Sequence, residues 1–296
     1  MPTQRQNYFD PLVLAKISNM SLRARYVVEG MLSGLHKSPY RGYSVEFAEH
    51  REYVPGDEIR RIDWKAYGKF DRYFVKEYEE ETNLRATIFL DASASMAYGS
   101  QGLSKFEYGC YLAASLAYLM LRQGDYVGLV TFGAEVQRYI PPRSGLAHMQ
   151  ALMHQLESTE PSGETHLDRS LREIAGKITK RGMMLVISDL FDDPEAVLRT
   201  LKFFRHRRNE VMVFHLLDHD ELEFPFERLT VFEDIEAPAA RVLAEPKVIR
   251  EAYLQQLQTF INDYRQACRR DLIDYNCFPT TTPLDIALTR YLARRQ

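Results

Sequence analysis

Ala86-Thr87-Ile88-Phe89-Leu90-Asp91-Ala92-Ser93-Ala94-Ser95-Met96, residues 86–96, is a short apolar run that breaks into one carboxylate and two hydroxyls. The run before Asp91 is rich in β-branched and aromatic side chains and lacks a polar face. That is the character of a strand covered on both sides. The D-x-S-x-S that follows places oxygen donors where such a strand ends, and open α/β sheets bind ligands at the carboxyl ends of their strands.

Outward from this point the pattern repeats. The segments 126–132 (YVGLVTF), 183–189 (MMLVISD) and 210–218 (EVMVFHLLD) are further apolar, β-branched runs. Amphipathic stretches near 104–123, 146–157, 167–180 and 194–207 separate them. Alternation of this kind predicts an α/β fold of Rossmann-like type, with a mostly parallel central sheet and helices on both faces. The stretch 136–142 (VQRYIPP) follows the strand at 126–132 after a turn of a few residues, so it should return antiparallel as an edge strand, where prolines are tolerated. A helical stretch over 246–275 and a final helix from Pro283 to Arg295 complete a domain spanning residues 84–296. Residues 1–83 are expected to form an N-terminal appendage of two short helices, about 10–19 and 21–34, and a strand-like, aromatic-rich segment from Tyr40 to Glu81.

Composition narrows the function classes. The 296 residues are 45% hydrophobic and 27% charged, the balance of an ordinary globular chain. A net charge of −3 offers no overall drive toward nucleic acid or anionic membranes. The basic stretch Lys202 to Arg208 reads as the solvated end of a helix. Cys110, Cys268 and Cys277 lack the spacing of a zinc site or a disulfide framework. The apolar helix at 111–121 falls short of the roughly 20 residues that span a bilayer. Neither a secretory leader nor a membrane anchor is read, and a cytoplasmic location is expected.

Two more segments are expected to end at the same sheet edge as Asp91: Ser162-Gly163-Glu164-Thr165-His166-Leu167, entering a helix, and Ile187-Ser188-Asp189, ending a strand. Asp91, Ser93, Ser95, Thr165 and Asp189 would then supply two carboxylates and three neutral hydroxyls. An all-oxygen set suits a hard divalent cation, Mg²⁺ or alternatively Mn²⁺ or Ca²⁺. Because the hydroxyls carry no charge, such a cation would stay electrophilic toward a carboxylate from another protein.

This set resembles the metal-ion-dependent adhesion site of von Willebrand A domains. The resemblance implies that Ser93, Ser95 and Thr165 bind directly, while Asp91 and Asp189 act through water or orient the hydroxyls. A second resemblance covers nearly the whole chain. Arg41-Gly42-Tyr43 to Glu46-Phe47, the run from Arg51 through Pro55-Gly56-Asp57 to Trp64-Lys65-Ala66, Tyr73 to Glu77, and the ending TTTPLDIALTRYLARR are similar to the bacterial domain-of-unknown-function-58 family. Gly68-Lys69 departs from that pattern, where an Ala-Arg pair would be expected. The resemblance implies a non-catalytic adaptor or co-chaperone working beside a MoxR-type AAA+ ATPase; some members of the family carry N-terminal transmembrane helices, whereas the charge and apolar pattern read here lead to the expectation of no nucleic-acid partner and no membrane insertion.

Among other classes, a haloacid dehalogenase-like Mg²⁺-dependent phosphatase also needs an Asp after its first strand. It further needs a carboxyl acid two residues on, where Ser93 stands. No P-loop, dinucleotide fingerprint, H-E-x-x-H or G-x-S-x-G is present. A metal-free structural domain is the remaining alternative.

Overall fold

The computed structural model describes residues 10–17, 19–35, 50–54, 67, 73–76, 84–178, 180–236 and 241–294. The chain forms two compact units, one of residues 1–33 with 84–296 and the other of residues 34–83.

In chain order the larger unit begins with α1 (Pro11–Leu14) and α2 (Met20–Leu35). The smaller unit contributes β1 (His50–Glu52) and β2 (Phe74–Lys76), which pair antiparallel. Beside them Tyr73 stacks on Tyr67, with ring centroids 4.6 Å apart, and meets Tyr53 edge-on at 6.3 Å. Most of the signature run, from Pro55 through Trp64 to Ala66, and the Gly68-Lys69 departure lie outside the described residues.

The larger unit resumes with β3 (Arg85–Asp91), α3 (Lys105–Arg122), β4 (Tyr126–Phe132), β5 (Val136–Arg143), α4 (Leu146–Ser158), α5 (Leu167–Ala175) and β6 (Met183–Ser188). It continues with α6 (Pro194–His206), β7 (Glu210–Leu217), α7 (His219–Glu223), the hairpin β8 (Thr230–Glu233) and β9 (Arg241–Ala244), α8 (Pro246–Arg270), β10 (Asp274–Pro279) and α9 (Leu284–Arg294). The main sheet runs β10-β7-β6-β3-β4-β5. Every neighbouring pair is parallel except β4 with β5, as the short turn before Val136 requires.

Both sheet faces are covered. Ala86, Ile88 and Leu90 of β3 join a core built with α2, α3, α4 and α9. Phe89, pointing the other way, joins a second core with α5, α6 and α8. The order reverses at β3, since β4 lies on one side of it and β6 on the other. The crevice beyond the carboxyl end of β3 is therefore the topological switch point.

Two expectations are corrected. The division at residue 83/84 does not match the contacts, because Leu14, Met20, Ala24, Val27, Val28 and Met31 are buried in the same core as α3. Within the larger unit α2 packs its apolar face into this core, Arg23 lies over the Tyr111 ring at 4.6 Å, and Glu157 caps the Met20 N–H at 2.8 Å. The helix expected over 246–275 ends at Arg270; Leu272 takes a left-handed φ of 56°, and the chain re-enters the sheet as β10. Asp274–Pro279 carries no alternating pattern, and only pairing to β7 makes it a strand.

Candidate metal-docking site

Leaving β3, the chain cannot continue the ladder past Asp91. Ala92 donates to Phe132 O at 2.6 Å, and a single 3-10 turn, Ala94–Ala97, opens with Ser93 as its cap residue. This tight exit turns the carboxylate and hydroxyls back on themselves. Ser93 N–H donates to Asp91 Oδ1 at 2.9 Å, and the Ser93 and Ser95 hydroxyls lie 3.0 Å apart. From β6, Ser188 Oγ donates to Asp91 Oδ2 at 2.6 Å. Asp91 and Ser93 are fully buried, and Ser95 is half-buried at the mouth.

The Thr165 loop is stitched to the serine loop by backbone bonds. Ala94 N–H donates to Gly163 O and Ser162 N–H to Ala92 O, both at 2.8 Å. Gly133, just past β4, permits this approach, since a Cβ there would stand 3.1 Å from Ser162 O and 3.6 Å from Ala92 O. Thr165 itself is buried, and its hydroxyl donates to Glu236 Oε1 at 2.7 Å. His166 turns to Glu164 at 3.6 Å and does not enter the site.

Asp189, also fully buried, meets a group that the sequence reasoning missed. Lys105 Nζ lies 2.7 Å from Asp189 Oδ2 and 2.6 Å from Glu221 Oε1, with no exposure of its own. Burial alone would lower the lysine's pKa, but the charges of Asp189 and Glu221 outweigh it and hold the ammonium above its ordinary value. A lysine in the first turn of α3 opposes the helix dipole, and that misfit was the one available signal. Ser188 and Glu236 carried none.

Of the five residues read as ligands, Asp91, Ser93 and Ser95 thus form one hydrogen-bonded group, and the Thr165 loop is fastened against it. Asp189 flanks them with its carboxylate turned to Lys105. No hydrogen bond joins Thr165 or Asp189 to either serine among the described residues.

The donor chemistry fits a hard divalent cation. Burial, followed by the charge of Asp189, pushes the Asp91 carboxyl up to about 7, an electrostatic cost that a bound cation would remove. Among the described residues no three His, Cys, Asp or Glu side chains form a metal-ligating group, so a cation here would depend on the hydroxyls. Both Asp91 oxygens are engaged by donors, and Ser93 holds the place where a phosphatase of the haloacid dehalogenase type needs an acid.

A mostly parallel sheet closed by one antiparallel edge strand, with helices on both faces, makes the larger unit a Rossmann-like α/β domain. The chain belongs to the family described as Protein of unknown function DUF58, which it matches over residues 49–260. Uncharacterized protein Rv1480 of Mycobacterium tuberculosis is 27% identical over 248 residues, covering 82% of this chain and 77% of that one. Among solved structures, conserved hypothetical protein BatB from Bacteroides thetaiotaomicron superposes with a TM-score of 0.50 at 17% identity, over 72% of this chain and 98% of that one. The SpRpn10 VWA domain aligns at a TM-score of 0.43 and 14% identity, over 70% and 95% of the two chains. No helix among the described residues is long and apolar enough to cross a membrane.

Proposed function

We propose that this chain is a non-catalytic, metal-dependent adaptor, in which Asp91, Ser93, Ser95, Thr165 and Asp189 hold a divalent cation, Mg²⁺ first, that docks an acidic side chain of a protein partner. The observation that carries this reading is the pair of hydroxyls 3.0 Å apart beside two fully buried carboxylates at the switch point of the sheet. A bound cation would supply Lewis acidity toward an incoming carboxylate. The chain's own residues do the rest: the Ser93 N–H and Ser188 O–H hold Asp91 in place, and half-buried Ser95 leaves the mouth open to solvent.

The partner most in keeping with the family resemblance is a MoxR-type AAA+ ATPase or its client, in the cytoplasm. Losing the cation would leave a desolvated carboxylate without its counter-charge, so binding should weaken by several kcal/mol. Calorimetric Mg²⁺ titration should show one site in the wild type and none in the Ser93→Ala/Thr165→Ala double variant. A MoxR-type ATPase should co-purify with the wild type and be released by chelator. An ATPase complex indifferent to chelator and to both substitutions would refute the proposal.

A further inference from the structure

The Thr165 hydroxyl already has a carboxylate on it, and that carboxylate belongs to the same chain. Thr165 Oγ1 donates to Glu236 Oε1 at 2.7 Å, while the Thr165 backbone N–H donates to Oε2 at 3.2 Å. Glu236 follows β8, and its own N–H is fixed by Asp234 Oδ1 at 2.9 Å. The hairpin is pinned by aromatic packing: Phe232 stacks on Phe224 at 5.6 Å, and Phe224 lies 4.7 Å from Tyr253 of α8. Glu233 and Arg241 link the two strands at 3.2 Å.

No Lys, Arg or His pairs with Glu236 among the described residues, while Lys105 is committed to Asp189 and Glu221. The Glu236 carboxylate is thus held, with no protein cation beside it, on the loop that is fastened to the serine loop. A threonine loop needing only a cap could take one from a neutral amide or hydroxyl.

We infer that Glu236 is a carboxylate ligand of this metal site supplied in cis, so that the β8–β9 hairpin holds the position a partner's acidic side chain would take and docking requires its displacement. This inference rests on the metal-docking reading above. It makes the resting site self-occupied, so a partner would bind only by out-competing a tethered carboxylate whose effective concentration is high.

The test uses the full chain, Mn²⁺ as the metal and acetate as the competing carboxylate. It compares the wild type with Glu236→Gln and with Glu227→Gln, an exposed position used as control. Mn²⁺ affinity is read by electron paramagnetic resonance and metal-bound water by proton relaxation; matching thermal melts establish that the isosteric variant is folded. Glu236→Gln should bind Mn²⁺ roughly tenfold more weakly. Its bound Mn²⁺ should gain an exchangeable water, which acetate displaces at concentrations that leave the wild type unchanged. Equal affinity, relaxation and acetate response in the wild type and Glu236→Gln would overturn the inference and leave metal docking standing. Absence of saturable Mn²⁺ binding in the wild type, or binding that survives Ser93→Ala/Thr165→Ala, would overturn both.

Discussion

Lys105 shows how a single side chain sets the charge state of the crevice. An ammonium with no exposure is tolerable only because Asp189 and Glu221 accept from it at 2.7 and 2.6 Å. Lys105→Met should lower stability by about 3–5 kcal/mol, because it strands two carboxylates in the interior. Urea unfolding would measure this, and a loss under about 1 kcal/mol would show that water or a bound cation compensates. His215 offers a proton-linked test. It is buried among Phe260, Tyr264 and Tyr275, and burial above all pulls its pKa down to about 4. A depressed histidine pKa means that the unfolded chain binds the extra proton, so its contribution is complete above about pH 6.5 and erodes as pH falls toward 4. The loss should approach about 3 kcal/mol. Asp91, with a raised pKa, acts with the opposite sign over this window, so the informative quantity is the wild type minus His215→Gln difference at each pH. A difference that does not change between pH 7 and pH 4.5 would rule this linkage out.

At the scale of elements, α2 is the piece whose allegiance matters most. Its residues Val27 and Val28 have no exposed surface and sit in the core shared with α3. Truncating each to alanine removes buried methyl groups and leaves a cavity, and the double variant should lose about 2–4 kcal/mol of the larger unit's stability. Unfolding followed by tryptophan-independent far-UV circular dichroism would report it. An unchanged midpoint would mean that α2 is an attachment and not part of the core. The Thr165 loop shows a related dependence, since a side chain at Gly133 would crowd Ser162 O at 3.1 Å where this loop is bonded to the serine loop.

For the whole molecule, the proposed cation would couple site and fold. It would bridge loops from β3, from the α4-to-α5 connection and from β6, so it would bind the folded state and not the unfolded one. Mg²⁺ at a hundredfold excess over its Kd should therefore raise unfolding free energy by roughly 2.7 kcal/mol. Denaturant melts with Mg²⁺ or chelator would measure the increment, and its persistence in Ser93→Ala/Thr165→Ala would place the ion elsewhere. The smaller unit, residues 34–83, carries much of the family signature, and its β1–β2 pair is too short to be stable by itself.

Periodicity made the parallel strands legible, because strands covered on both faces must be apolar throughout, and D-x-S-x-S announced itself by breaking such a run. The turn before Val136 likewise dictated an antiparallel edge. What linear order could not reveal were contacts between distant segments. Asp274–Pro279 became a strand only beside β7, and α2 joined the core only because α3 offered an apolar face. Lys105 reached Asp189 across 84 positions, and Glu236 reached Thr165 across 71. Local pattern encodes which face of an element is apolar, whereas the pairing of buried charges and hydroxyls depends on where three separate loops meet, and that is decided only when the sheet assembles.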